Sequence, residues 1–429
     1  MESEAMRIEF HPQLLELQRY SCNCCGQCCR SFLVGVHAQK MRDIEALRDW
    51  RKELGVEKLF IRHRAVGRAG WGLAKHADGR CVFLGNDNLC AIHKLHGLKA
   101  KPRVCRLYPF VLTPLAGTMQ VGLRFDCPTV CDSRGRELGS YRSELDGLTR
   151  QLISDKLRNM EVPNLYPGCR VPAERIEAVN ESLIKIITSD ALPLVRRLVW
   201  MWRFIEHIGR VKWQQASDDD FVELLGMFRG SLLAELQQNQ CQGRPVTRKS
   251  RRMLGQVFFL LTQPTAIVTG HGPGLFAKLR QRLALTRQMK QLAEPTGTLP
   301  RIQPDWPDCD LADLEASFGT WPADVEQVLT RYMVGRLAGA GYCGANFYHY
   351  SLTEGTQSLL LAMVTVGWVM RIAAIGADRD HLDPSDAHKA MMVIDGNLGY
   401  ASALGFGPGR LRLRYLGEHL ESFLESYCD

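Results

Sequence analysis

Five of the fifteen cysteines in this 429-residue chain fall within eight residues, Cys22-Asn23-Cys24-Cys25-Gly26-Gln27-Cys28-Cys29. No packed core calls for thiols at that density. A short loop bearing several sulfurs can instead wrap them round a metal ion or an iron–sulfur cluster. The run Cys22-x2-Cys25-x2-Cys28 lets three successive thiolates face one centre. Adjacent cysteines rarely ligate one centre through a strained ring, so Cys29 is assigned to a second centre or to a structural role. Cys24 is out of phase with the spacing and reads as a bystander.

Five more cysteines follow by Cys131, and the other five (Cys169, Cys241, Cys309, Cys343, Cys428) are scattered through the rest of the chain. Cys81, Cys90 and Cys105 form a second group, each flanked by apolar residues as at the edge of a small core. Cys127 and Cys131 form a third, with a spacing that places both on one turn. The candidate ligands are therefore Cys22, Cys25, Cys28, Cys29, Cys81, Cys90, Cys105, Cys127 and Cys131. Cys90-x2-His93 also has zinc-ligand spacing, although a lone histidine is more often a satisfied polar residue. One [4Fe–4S] cluster uses four thiolates and two closed zinc sites use eight ligands. The thiol-only run leans towards iron–sulfur and leaves zinc open. Arg103, Arg106 and Tyr108 flank Cys105 and are the candidate cofactor contacts, because cations beside thiolates lower their pKa and offset a negatively charged cluster.

The cysteine-rich part stands out from an otherwise ordinary composition. Hydrophobic residues make up 45% and charged residues 23%, which suits a soluble globular protein with real cores. The net charge of +8 permits an anionic partner without demanding one. The N-terminus lacks a basic start followed by an apolar run, so no signal peptide is expected. The most apolar stretch, residues 359–370, ends at Arg371 and is shorter than the roughly 20 residues a bilayer requires. A cytoplasmic protein without a membrane span follows, and its thiols are expected to be reduced.

Residues 1–160 are expected to form a cysteine-rich domain with short strands near 32–36, 70–73 and 81–87 and a helix over 38–54. After a Pro/Gly-containing connection at 163–172, residues 173–429 read as all-α, with a proline-rich break near 295–307. Helical spacing marks 173–208 as two helices broken near Pro193, then Asp218–Gln238, 250–261, 275–292, 311–318, 323–337, Leu352–Ile375, 385–397 and 410–427. Overall, the fold class is α+β, mostly α. Two glycine-rich stretches, 266–274 and 405–409, lack the strand–turn–helix context of a dinucleotide-binding fingerprint and read as turns. Residues 244–290 hold ten Lys or Arg and no Asp or Glu. Without interleaved aromatics this reads as a solvated basic face, and nucleic acid is not expected as a partner. Asp305, Asp308, Asp310 and Asp313 read as capping for the helix that starts near Leu311.

Four blocks carry a family resemblance. They are Cys22-x2-Cys25-Gly26-x-Cys28-Cys29, Cys81-x-Phe83-Leu84, Cys90-x-Ile92-His93 and Lys101-Pro102-x2-Cys105-Arg106-x-Tyr108-Pro109-Phe110. In this order they resemble the cysteine-cluster family with the CxxCxxCC signature, described as zinc- or iron-chelating. The likeness covers about residues 20 to 135, and Cys24 is an addition to its pattern. One branch of that family, the flagellin lysine-N-methylases, places a helical region behind the cysteine domain. The general layout is similar here. That resemblance implies an iron–sulfur protein that uses S-adenosylmethionine to methylate lysines of a protein substrate. The flagellin substrate itself is not carried over.

Two function classes follow. In one, the chain is a protein-lysine N-methyltransferase whose [4Fe–4S] cluster binds or activates S-adenosylmethionine in a pocket beside the helical part. In the other it is a non-enzymatic metal-binding module for structure, metal delivery or redox sensing, with zinc as the alternative ion. No nucleophile–base pair stands out, so no catalytic residue is assigned.

Overall fold

The computed structural model describes residues 6–31, 33–65, 68–152, 160–238, 243–263, 275–316 and 318–427. Cys241, Cys428 and the glycine-rich stretch at 266–274 lie outside the described residues. Helices account for 57% of the structure and the small sheets lie between residues 8 and 137, which makes the fold α+β and mostly α.

The N-terminal region holds three small sheets. Strand Thr118–Leu123 is central to one, paired in parallel with Ile8–Glu9 and antiparallel with Phe110–Leu115. Its hairpin turn is Ala116-Gly117, with φ of 44° and 76°. Positive φ at both positions matches the right-handed twist of the flanking strands. Pro114 is tolerated because Phe110–Leu115 is an edge strand. A second sheet pairs Gly35–Val36 and Phe60–Ala65 with Arg68–Leu73. The third joins Arg19–Tyr20 to Arg136–Glu137.

The helix expected over 38–54 is broken into Ala38–Leu47 and Trp50–Leu54, because Asp49 caps the second piece by accepting the Lys52 N–H. Trp50 then turns inward and its Nε1 donates to the Ile44 carbonyl at 2.7 Å. Residues 81–87 form turns rather than a strand, tied by isolated bridges.

Behind residue 172 the described elements are helical. Ala173–Ile187 and Leu194–Arg210 flank Pro193, and Asp218–Gln238 has the expected limits. The expected helix over 410–427 is interrupted and runs as Gly407–Gly417 and Leu420–Tyr427. Asp310 and Asp313 form a reciprocal capping box on Leu311–Glu315. Within the basic stretch, four cations have acidic partners. Arg248 and Arg252 both pair with Glu294, Arg244 pairs with Glu418, and buried Arg251 pairs with Glu315.

Helix Leu352–Ile375 runs through the middle. Its 24 residues are long and apolar enough to cross a membrane by length and composition alone, yet 89% of its most apolar window is buried inside the protein. Ser351 and Glu354 cap it reciprocally, and Arg410 Nη1 lies 3.0 Å from Glu354 Oε1.

Hydrophobic side chains collect in two cores. The smaller is built from residues 34–92. The larger takes in Ile8 to Tyr20 and Phe110 to Leu148 together with the helices behind them. The hairpin docks on helix Ala323–Ala338 with almost no side chain between. A Cβ on Gly122 would stand 2.9 Å from the Gly339 Cα. The cysteine cavity described next lies at the seam between the two cores.

Candidate metal centre

The cysteine loop leaves strand Arg19–Tyr20 and enters the short helix Gln27–Ser31. Two positive-φ residues bend it, Cys24 at 56° and Gly26 at 71°. At Gly26 a Cβ would also press on Asn88 Oδ1 at 3.2 Å and Leu84 Cδ2 at 3.3 Å. Glycine in the signature therefore serves both the turn and the close approach of the 84–90 segment. The Cys29 carbonyl accepts the Cys81 N–H at 2.9 Å, which joins the first cysteine group to the second through the backbone. Cys81 bridges Lys75, and Cys90 bridges Leu84. Cys90 precedes helix Ala91–His96, Cys105 sits in Arg103–Leu107, and Cys127 precedes Pro128–Cys131.

These elements bring nine thiols round one cavity of about 470 Å³. Eight are expected ligands: Cys22, Cys25, Cys28, Cys29, Cys81, Cys90, Cys105 and Cys127. The ninth is Cys24, which its spacing marked as a bystander and which its left-handed backbone brings to the cavity. Cys131 is not among the lining residues. It is fully buried, and its Sγ donates to the Phe125 carbonyl at 3.0 Å. Arg106 and Tyr108 line the cavity, and Arg103 does not. Arg103 is half-buried, and burial lowers its guanidinium pKa. His93 lines the cavity, with its pKa lowered by burial and by Lys101.

Burial dominates the electrostatics. It pushes the Cys81 and Cys105 thiols up to about 12 and Cys127 up to about 11. The Cys28 thiol is also pushed up, first by its contact with Cys29, whose Sγ is 4.0 Å away, and then by burial. Such groups resist ionising on their own, and a bound metal cation removes that cost. Among the described residues, Lys75, Lys101, Arg106 and Arg136 line the same cavity against a single carboxylate, Glu144. That balance suits the net negative charge of a thiolate-ligated cluster.

Among the described residues, no three His, Cys, Asp or Glu side chains converge on one ion position. The donor set is nearly all sulfur, which suits a thiolate-ligated zinc site as well as an iron–sulfur centre.

At its other side the cavity meets aromatic rings. Tyr20 packs edge-on against Phe110 at 5.7 Å, and Phe110 and Tyr141 are 5.0 Å apart. The Tyr141 hydroxyl donates to the Tyr20 carbonyl at 3.1 Å, and Arg136 stacks over Tyr141 at 4.2 Å. Tyr108 donates to Asp126 Oδ1 at 3.1 Å, and Asp126 is held by Arg124 at 2.6 Å. Sequence spacing gives no sign of this wall, because its rings come from three separate segments.

Every described residue lining the cavity lies between Tyr20 and Glu144. Among the described residues, no helix of the second half lines the cavity, whereas the enzyme reading expects such a lining. Those helices instead hold the segment that carries Cys127. Asp395 Oδ2 accepts the Phe125 N–H at 2.8 Å, Arg331 donates to the Cys131 carbonyl at 3.0 Å, and His388 Nδ1 is 3.2 Å from Asp132 Oδ1.

Comparison with known proteins agrees with the location of this cavity. Residues 21–132 match the CxxCxxCC family model, described as "putative zinc- or iron-chelating domain". The matched span contains every thiol of the cavity, so the N-terminal region carries a metal-chelating cysteine domain. No curated protein and no solved structure is significantly similar to the chain.

Proposed function

We propose that the protein carries an iron–sulfur centre of the [4Fe–4S] type in the cysteine cavity. The observation that carries this is the convergence of nine thiols, more than one mononuclear site uses, on one cavity that among the described residues has four basic side chains and one carboxylate. Zinc remains the alternative ion. The test is the visible absorption of protein purified without oxygen, with Cys81→Ser as control. A broad iron–sulfur band that Cys81→Ser diminishes supports the assignment. A colourless wild-type protein with stoichiometric zinc overturns it.

The methyl-transfer reading draws support from one further observation, the aromatic extension of the same cavity. S-adenosylmethionine offers an adenine, a carboxylate and an ammonium group, and the aromatic wall, Arg136 and Glu144 are partners of matching chemistry. When bound it would supply the methyl group, and a lysine-bearing protein would be the acceptor. Calorimetry of the metal-loaded protein with S-adenosylmethionine tests this. Saturable binding that weakens in Arg136→Leu supports it, and absence of binding removes it in favour of a non-enzymatic metal module.

A further inference from the structure

The nine thiols do not stand on one scaffold. Cys81 belongs to the smaller hydrophobic core, and Cys29, Cys90 and Cys105 pack against it. Cys127 belongs to the larger core together with Tyr20. Most electrostatic neighbours divide the same way, and Tyr108 stands between the sets, facing both Cys28 and Cys127. Cys81 interacts with Cys90 and Cys105, and Cys105 with Cys90 and Cys28. Cys24 interacts with Cys22 and Cys25, while Tyr20 interacts with both Cys22 and Cys127. Exposure sets the loop thiols apart, since Cys22, Cys24 and Cys25 are exposed, Cys28, Cys29, Cys90 and Cys105 are half-buried, and Cys81 and Cys127 are buried. Lys101 interacts with Cys24 on one side and with Cys28 and Cys105 on the other, so a cation stands at the border.

Resting on the iron–sulfur reading above, we propose that the cavity holds two separate centres, a deep one drawn from Cys28, Cys29, Cys81, Cys90 and Cys105 and one at the mouth drawn from Cys22, Cys24, Cys25 and Cys127. Adjacent Cys28 and Cys29 need not both ligate, because the deep set offers one thiol beyond the four that a cluster requires. Adjacent Cys24 and Cys25 supply one ligand between them, so the mouth centre has three thiolates and one iron position left open. The mouth centre is the one solvent reaches, since Cys22, Cys24 and Cys25 are exposed. A cation between the two sets lowers the repulsion between two anionic clusters.

The test compares full-length wild type with Cys24→Ala/Cys25→Ala and with Cys81→Ala/Cys105→Ala, all purified without oxygen. Iron and acid-labile sulfide are quantified, and electron paramagnetic resonance is recorded after reduction. Each double variant is expected to keep about half of the wild-type iron and sulfide, with the remaining signal differing between the two. The mouth variant alters exposed side chains, so it decides the matter even if the deep variant fails to fold. A folded mouth variant that loses all of the iron, or none of it, overturns the division into two centres. A wild-type protein without iron or sulfide overturns the iron–sulfur reading itself, which is a different failure.

Discussion

Asp395→Ala is expected to loosen the cysteine-bearing segment from the helical half. The Asp395 side chain is fully buried, accepts the Phe125 N–H at 2.8 Å and lies 3.3 Å from Arg336 Nη1, which is itself largely buried. Removing the carboxylate leaves a buried guanidinium without its partner, at a cost of about 3–5 kcal/mol. It also orphans a buried N–H, worth about 1–3 kcal/mol. The two losses share one group and are not additive, so about 4 kcal/mol is expected in total. That is a large part of the ~5–15 kcal/mol that holds a typical protein folded. Asp395→Asn keeps an acceptor for Phe125 and should lose roughly half as much. Replacing both partners, Asp395→Leu with Arg336→Met, should recover stability relative to Asp395→Ala, because no charge is then left unpaired. Urea unfolding followed by circular dichroism and tryptophan fluorescence measures all three. A loss below about 1 kcal/mol for Asp395→Ala would refute the claim that this contact anchors the segment.

Three further outcomes are expected. Gly122→Ala places a methyl 2.9 Å from the Gly339 backbone, which cannot move aside as a side chain would, and should cost about 1–3 kcal/mol in urea unfolding; an unchanged midpoint would show that hairpin and helix can separate freely. His388 has a pKa below the ordinary histidine value, chiefly through burial and against the pull of Asp132. The unfolded chain thus takes up the His388 proton at a higher pH than the native one, and native stability is lost as pH falls from about 6.5 through the folded value. His388→Gln should flatten the decline in melting temperature between about pH 7 and about pH 5, and an unchanged slope would remove His388 as a contributor. Cys309 lies away from the cavity beside Asp308, Asp310 and Asp313. Cys309→Ser should leave metal content unchanged, and loss of metal would show that the site extends beyond the described cavity.

Long helices with a repeating apolar stripe were legible in the sequence. Asp218–Gln238 and Leu352–Ile375 have the expected limits because acidic residues or a capping box mark their starts. Breaks inside a periodic pattern were harder to see. Asp49 caps a new helix in the middle of an apolar repeat, and Gly417 ends one where the stripe continues. The hairpin Phe110–Leu123 went unread because Pro114 argues against a strand until its place at a sheet edge is known. At the site, eight of the nine cavity thiols were among the candidates read from the sequence. Cys24, out of phase by spacing, also lines the cavity from a left-handed backbone position, whereas Cys131 bonds to the Phe125 carbonyl, because Cys127 has extended backbone ahead of the helix and does not share its turn. The cations Lys75, Lys101 and Arg136 and the aromatic wall come together only through the meeting of two cores.

The most direct measurement is the iron, acid-labile sulfide and zinc content of the full-length protein purified without oxygen. Iron and sulfide in equal amounts, at about four or more of each per chain, with little zinc, are the result expected for thiols arranged as they are in this cavity. Stoichiometric zinc without sulfide, or a chain free of metal that retains its fold, would contradict the iron–sulfur account.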